Sequence, residues 1–234
     1  MKKITILFLF AITIIVACNK SENTKTVFHK AEKLEGEILK SINSIAECKT
    51  KYEKVIRKAP ESEFAPIALY KLGKLNEIFG HYEEAVEYYK KLASIYPEHQ
   101  VSGEGLFNMA QIYQLHLDKP EKAILTYNQL IGLYPENKSV FQANVEVAQI
   151  YCQKEKWESA VKAFQRILDK YPEEKIVDDI SFRIADIYSF KLKENSTAAE
   201  KYLELINNYP NSSWVKLAEG RLAQLKEGEK KNEK

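Results

Sequence analysis

Catalysis or metal binding in this chain would have to come from 3 cysteines, 4 histidines and 33 carboxylates. Their spacing serves neither purpose. His29, His81, His99 and His116 each lack a second ligand at metal-site spacing. No nucleophile elbow, phosphate loop or dinucleotide fingerprint occurs. The carboxylates are interleaved with lysines along amphipathic stretches, which is how charge is laid out on solvated helix faces. The 14 tyrosines could stack sugars or bases, but half of them recur at fixed intervals that packing alone explains. The sequence therefore predicts no enzyme, no cofactor and no metal. Cys48 and Cys152 would form a disulfide only if the fold brought their Cα atoms within about 7 Å. The remaining cysteine, Cys18, has a different setting.

Cys18 ends a segment that begins with Lys2 and Lys3 and continues through an apolar run from Ile4 to Val16. A short positive stretch followed by about a dozen apolar residues is the pattern of a secretory signal, and it is too short for the ~20 residues of a membrane span. Its end, Ile15-Val16-Ala17-Cys18, resembles the lipobox of bacterial lipoproteins. The resemblance implies cleavage before Cys18, diacylglycerol on its sulfur and acylation of the new amine. Two or three acyl chains anchor stably where one is marginal. Loss of residues 1–17 removes two lysines and leaves 33 basic against 33 acidic residues. A neutral mature chain lacks the electrostatic footprint of a nucleic-acid binder.

What must position any site is a repeat. Pro60, Pro97, Pro135, Pro172 and Pro210 are spaced 37, 38, 37 and 38 residues apart, and the last four follow tyrosine: Tyr96, Tyr134, Tyr171 and Tyr209. A residue before proline is driven out of the helical region, so each pair marks a helix end. Thirteen residues after each proline stands a small residue, Gly73, Ala110, Ala148, Ala185 or Ala223. Twelve residues before each of the last four prolines stands another, Ala85, Ala123, Ala160 or Ala198, with Tyr89, Tyr127, Phe164 or Tyr202 four residues beyond. Small residues at fixed positions let two helices approach closely, and the ring fills the space beside the contact.

Each period is thus a helical hairpin. Helix A of the second runs from Glu63 to Phe79 and helix B from Tyr82 to Ile95, with the turn at Gly80-His81. Pro120 falls in the first turn of helix B of the third, and Thr197 with Glu200 has capping-box spacing at helix B of the fifth. The alternation of 37 and 38 places one extra residue in the A–B loops of the third and fifth units. The columns resemble the tetratricopeptide repeat: Leu72, Gly73, Gly80, Tyr82, Ala85, Tyr89 and Pro97 fall on its consensus in the second unit, and Ala148, Tyr151, Trp157, Ala160, Phe164 and Pro172 in the fourth. Asn76 stands where that repeat usually has tyrosine. The resemblance implies an all-α, right-handed α-solenoid of about five hairpins plus a C-terminal capping helix.

The expected organisation is a signal peptide at 1–17, lipidated Cys18 with a polar tether over 18–26, and a degenerate first repeat over 27–62. Four repeats follow over 63–213 (63–100, 101–138, 139–175 and 176–213), then a cap at 214–227 and a disordered charged tail at 228–234. The first unit keeps Gly36, Tyr52, Val55 and Pro60 but has Cys48 in the alanine column. With Cys48 and Cys152 three units apart and helices 8–10 Å from one another, the two thiols are expected at least ~20 Å apart and unbridged.

In the tetratricopeptide family helix A lines the concave face. Two columns there form the candidate groove: Tyr70, Phe107, Val145 and Phe182, three residues before the small column, and Lys74, Gln111, Gln149 and Asp186, one residue after it. An apolar stripe beside a polar one suits an extended peptide or partner helix, with apolar anchors supplying energy and amides pairing with its backbone. The rings could equally pack against the neighbouring helix. A carboxylate clamp is not expected, since Lys74 is the only basic residue among these positions. Lipobox, repeat number and length together resemble the D-subunit lipoproteins of the outer-membrane barrel-assembly machinery. That implies an anchor in the outer membrane facing the periplasm, partnership with a barrel-assembly subunit, and contact with unfolded outer-membrane proteins. A Tol-Pal-type periplasmic adaptor, or an accessory to a peptidoglycan enzyme or transporter, fits the same features. Asn19, in place of aspartate after Cys18, favours the outer membrane where a cell has two; with one membrane the protein would sit on its outer face.

Overall fold

The computed structural model describes residues 24–36 and 42–232. The signal segment, Cys18 and the tether to residue 23 lie outside the described residues. Among those described, every regular element is helical: α1 (24–36), α2 (Ile42–Lys58), α3 (Phe64–Ile78), α4 (Tyr82–Ile95), α5 (Gln100–Leu115), α6 (Pro120–Leu133), α7 (Val140–Gln153), α8 (Trp157–Lys170), α9 (Val177–Asp186), a π-helical turn (Ile187–Leu192), α10 (Asn195–Asn208) and α11 (Val215–Asn232). Two compact units divide the chain, one up to Thr126 and one from Tyr127.

Both kinds of column residue are fully buried: Ala85, Ala110, Ala123, Ala148, Ala160, Ala185 and Ala198 are 0 % exposed, as are Tyr89, Tyr127 and Tyr202. The fit is closest at Gly73, where a β-carbon would lie 2.4 Å from Cε1 of Tyr89. Only glycine lets the Tyr89 ring cross helix α3 at that point. Ala223 holds the same column in α11 but is exposed.

The helix ends explain the period. At each proline the preceding residue caps helix B with its N–H and accepts from the residue three further on: Tyr96 N–H donates to Leu92 O, and Tyr96 O accepts from His99 N–H. Tyr134, Tyr171, Tyr209 and Ala59 repeat that pair of bonds. Proline thus occupies the second position of a turn, where its fixed φ is an advantage. At the A–B turns a residue in the left-handed region precedes each helix B by two: Gly80 (φ 75°), Asp118 (48°), Glu155 (53°) and Lys193 (58°). In the second and fourth units the turn is a Schellman motif, with His81 N–H to Asn76 O and Gly80 N–H to Glu77 O, and with Lys156 N–H to Tyr151 O and Glu155 N–H to Cys152 O. In the third and fifth units the closing bond spans one residue more, Lys119 N–H to Tyr113 O and Glu194 N–H to Tyr188 O. The extra residue therefore widens the last turn of helix A, visibly as the π-helical turn Ile187–Leu192 in the fifth unit, rather than lengthening a loop.

Four further expectations are corrected. The first unit is a hairpin of α1 and α2, but α1 sits about one turn out of the repeat's register. Ala31 (0 % exposed), not Gly36, packs with Cys48 and Tyr52, and nothing approaches within 4 Å of a β-carbon placed on Gly36. Residues 24–26, given to the tether, already belong to α1. The Thr197 capping box does not form: α10 begins at Asn195, and Thr197 Oγ1 instead donates to Glu194 Oε2 at 3.3 Å. Finally α11 runs to Asn232, through most of the segment read as a disordered tail.

Candidate functional site

In the compact unit up to Thr126, Tyr70 of α3 and Phe107 of α5 are half-buried, each beside one residue of the polar column, Lys74 and Gln111. Tyr70 leans on the buried Tyr89 ring, centroids 6.0 Å apart. The Tyr89 hydroxyl donates to Glu77 Oε2 at 2.9 Å, and Lys74 Nζ bonds Glu77 Oε1 at 3.1 Å. Burial, then the Glu77 carboxylate, drives the Tyr89 hydroxyl pKa far above its ordinary value. Asn108 Nδ2 lies 3.3 Å from both the Tyr70 and the Tyr89 hydroxyl oxygens. The Gln111 side chain makes no hydrogen bond among the described residues. The same trio of groups recurs one hairpin earlier: Tyr52 donates to Glu35 Oε2 at 2.7 Å, and Lys71 bonds Glu35 Oε1 at 3.2 Å. Asn76, standing in for the usual tyrosine, accepts from Lys49 Nζ at 2.6 Å and donates to Leu72 O at 2.7 Å. The result is a face with two half-exposed rings, amide groups, and charges already paired.

The compact unit from Tyr127 places its four candidates differently. Phe182 is 4 % exposed, stacked on Trp214 at 4.6 Å and beside Tyr202 at 5.8 Å. It packs against Trp214, at the entry to α11, and does not wall a groove. Val145 is also buried, at 8 %. Gln149 is exposed. Asp186 accepts the Tyr202 hydroxyl and lies 3.9 Å from Arg221 Nε, while the Arg221 guanidinium rests 4.5 Å over the Phe190 ring. Only Gln149 of this set presents an uncommitted polar group. Asn108 and Glu77 were missed by the column reading, although Asn108 is adjacent to Phe107. The signal was available: the column two residues before the small one, Lys71, Asn108, Glu146 and Arg183, is polar in every complete unit.

Other chemistry-bearing residues serve local structure. His99 Nδ1 accepts the Val101 N–H at 3.3 Å as N-cap of α5. His116 stacks on Tyr82 with centroids 3.9 Å apart, and His29 pairs with Glu32 at 2.9 Å. Cys48 and Cys152 are free thiols; Cys48 Sγ donates to Ala31 O at 3.4 Å, and burial pushes its pKa up to about 11. Among the described residues no group of three potential ligands could hold a metal ion, and no helix is long and apolar enough to cross a membrane.

Residues 43–179, more than half of the chain, match the family model for soluble NSF attachment proteins. The chain belongs to the soluble NSF attachment protein family. Residues 179–212 match a tetratricopeptide repeat model. No curated protein matches. Among solved structures, a tetratricopeptide repeat protein from Parabacteroides merdae is 20 % identical, covering 86 % of this chain and 72 % of its own, with a TM-score of 0.54. MamA is 18 % identical over 80 % and 92 % with a TM-score of 0.54. YrrB, described as a protein of this repeat class with an unusual peptide-binding site, is 16 % identical over 83 % and 90 % with a TM-score of 0.50. These likenesses show the fold: an all-helical tetratricopeptide solenoid. No catalytic family is indicated. The finer resemblance to barrel-assembly lipoproteins rests on the sequence features alone.

Proposed function

We propose that this protein is a lipid-anchored interaction scaffold of the cell envelope that assists outer-membrane protein assembly, gripping an extended segment of a partner on helices α3 and α5. The observation that carries the gripping is the pairing of Tyr70 and Phe107, both half-exposed, with Asn108 and Gln111 on consecutive A helices. Half-exposed rings supply apolar contact area, and amides pair with a main chain that would otherwise lose its bonds to water. The charges on this face are tied to one another, Lys74 to Glu77 and Lys71 to Glu35, so recognition rests on shape and hydrogen bonds more than on net charge. The anchor is supported by Ile15-Val16-Ala17-Cys18 and by the polar residues after it.

Photocrosslinking from position 107, in cells, tests the grip and names the partner together. An adduct with a barrel-assembly subunit or with outer-membrane proteins is the expected result. If deletion of the gene leaves outer-membrane protein levels unchanged and immunoprecipitation recovers no barrel subunit, the assembly role is refuted. Cys18→Ser is expected to release a folded protein from the membrane fraction; retention of that variant in high salt would reveal a second anchor.

A further inference from the structure

The hairpin of α1 and α2 carries more positive charge than its fold uses. Among its described residues, 24–36 and 42–58, eight lysines and arginines stand against four carboxylates. All four carboxylates are engaged within the fold: Glu32 with His29, Glu35 with Tyr52 and Lys71, Glu47 with Lys51, and Glu53 with Tyr88. Six cations, Lys25, Lys30, Lys33, Lys54, Arg57 and Lys58, make no ion pair or hydrogen bond among the described residues. Cys48 Sγ meets Ala31 O at 3.4 Å and the Phe28 and Tyr52 rings lie 5.8 Å apart, so α1 and α2 run antiparallel. The first turn of α1, with Lys25, therefore sits beside the last turn of α2, with Arg57 and Lys58, and all three side chains are exposed. The helix dipole suits Arg57 and Lys58 at a C-terminus but opposes Lys25 at an N-terminus. Helix electrostatics thus does not explain why the three gather at one end.

That end is also where the chain leads to Cys18. Thr24 stands six residues beyond Cys18, and six residues span at most about 20 Å when fully extended. From this charge and this reach we infer that the basic end of the α1–α2 hairpin docks on anionic lipid headgroups, with Lys25, Arg57 and Lys58 facing the membrane that holds Cys18. The inference rests on the lipid anchor proposed above and adds an orientation to it. Acyl chains fix a point and leave the protein free to swing about it. A basic patch beside that point is a second, electrostatic signal that selects the face turned to the lipid. Its range is short, about 8 Å at physiological salt, which the tether length matches. The neighbouring turn reverses the sign. The Tyr96 hydroxyl donates to Pro60 O at 2.8 Å, setting the two proline turns side by side. There Glu61, Glu63 and Glu98 are exposed and acidic, so an anionic surface repels the edge one hairpin on. Contact is confined to the first hairpin, and Tyr70 and Phe107, in α3 and α5, lie outside it.

Vesicle cosedimentation of the mature chain carrying Cys18→Ser isolates the electrostatic part. At low salt it should bind vesicles containing about 30 mol % phosphatidylglycerol about tenfold more tightly than vesicles of phosphatidylcholine alone. In about 1 M salt, where screening acts within ~3 Å, the difference should vanish. Lys25→Gln, Arg57→Gln and Lys58→Gln should each weaken binding to the anionic vesicles about fivefold. Lys162→Gln and Arg166→Gln remove equal charge from exposed, unpaired positions on α8 and should leave binding unchanged. Because all five positions are exposed, each variant should melt with the parent. The acylated protein is then placed on both kinds of vesicle and treated with a water-soluble amine reagent, the sites being read by mass spectrometry. On anionic vesicles Lys25 and Lys58 should be shielded and Lys162 labelled; on neutral ones all three should label. Equal binding to both vesicle types, an equal loss from the α8 variants, or shielding of Lys162 in place of Lys25 and Lys58 would overturn the inference and leave the anchor standing. Absence of lipid on Cys18 in protein isolated from cells would overturn the anchor, and the docking with it.

Discussion

Gly73→Ala should destabilise this protein although the same substitution at an exposed helical glycine should stabilise it. Alanine improves helix propensity over glycine by about 1 kcal/mol in a helix interior. At Gly73 that gain meets the Tyr89 ring, whose Cε1, Cζ and Cδ1 lie 2.4, 2.7 and 2.8 Å from the new methyl position. The ring is 0 % exposed, and its hydroxyl is bonded to Glu77 and Asn108, so it has no free direction in which to yield. Overpacking at a rigid contact costs up to about 3 kcal/mol, which leaves a net loss of about 2 kcal/mol. Gly132 in α6 meets nothing within 4 Å, so Gly132→Ala keeps the whole propensity gain. For a chain of this length 1 kcal/mol moves Tm by about 2–4 °C. Thermal melts followed by circular dichroism should show Gly73→Ala falling roughly 4–8 °C and Gly132→Ala rising roughly 2–4 °C. Adding Tyr89→Leu to Gly73→Ala should cost less than Tyr89→Leu costs the parent protein, since the leucine vacates the clash. A Gly73→Ala Tm within about 1 °C of the parent, or above it, would refute the account, because the sign itself depends on the ring contact.

The left-handed turn residues give a second contrast: Glu155→Gly and Lys193→Gly (φ 53° and 58°) should each raise stability by about 0.5–1 kcal/mol in urea titrations, relief of backbone strain outweighing the entropy of glycine. Phe182→Ala should lower stability by about 3–5 kcal/mol because the ring is core, while Phe107→Ala should change it far less and lose binding instead. Stability should also fall in alkali. Cys48 has its thiol pKa raised to about 11 in the folded state, so its contribution is complete below its ordinary value of 9.0 and is lost as pH climbs through 11. Cys48→Ala, which restores the repeat's usual residue, should flatten Tm against pH over that window; an unchanged slope would exclude Cys48 as its source.

The prolines and alanines make the hairpins legible in the sequence, because proline and close helix contact each impose a residue type at a fixed place. The second hairpin was read to within one residue at each end of α3, and α4 ran from Tyr82 to Ile95 as read. The A–B turns were less legible, since the left-handed position is glycine only at Gly80; Asp118, Glu155 and Lys193 carry no such signature. A π turn is likewise invisible in composition, so the spacing alone places the inserted residue in a loop. The slip of α1 escaped for a similar reason: Gly36 matched the column by count, but count cannot show which small residue a packed helix uses. The groove columns were legible as positions and not as environments. Whether a ring at that position is open or covered depends on what lies over it, and for Phe182 that is Trp214, four residues after a proline that looked like any other.

The tyrosine hydroxyls buried beside helix-A carboxylates have a consequence for how separable these repeats are. Tyr52 needs Glu35, Tyr89 needs Glu77, and Tyr202 needs Asp186. In the fourth repeat the ring is Phe164, and the position equivalent to Glu77 is Cys152. The hairpins share one outline but not one wiring. Exchanging helix α4 with α8 would keep the column alanines, leave Glu77 without its tyrosine donor, and bury a hydroxyl opposite a thiol. Each hairpin is thus keyed to its own halves, and a consensus built by averaging the columns would erase the key while keeping the shape.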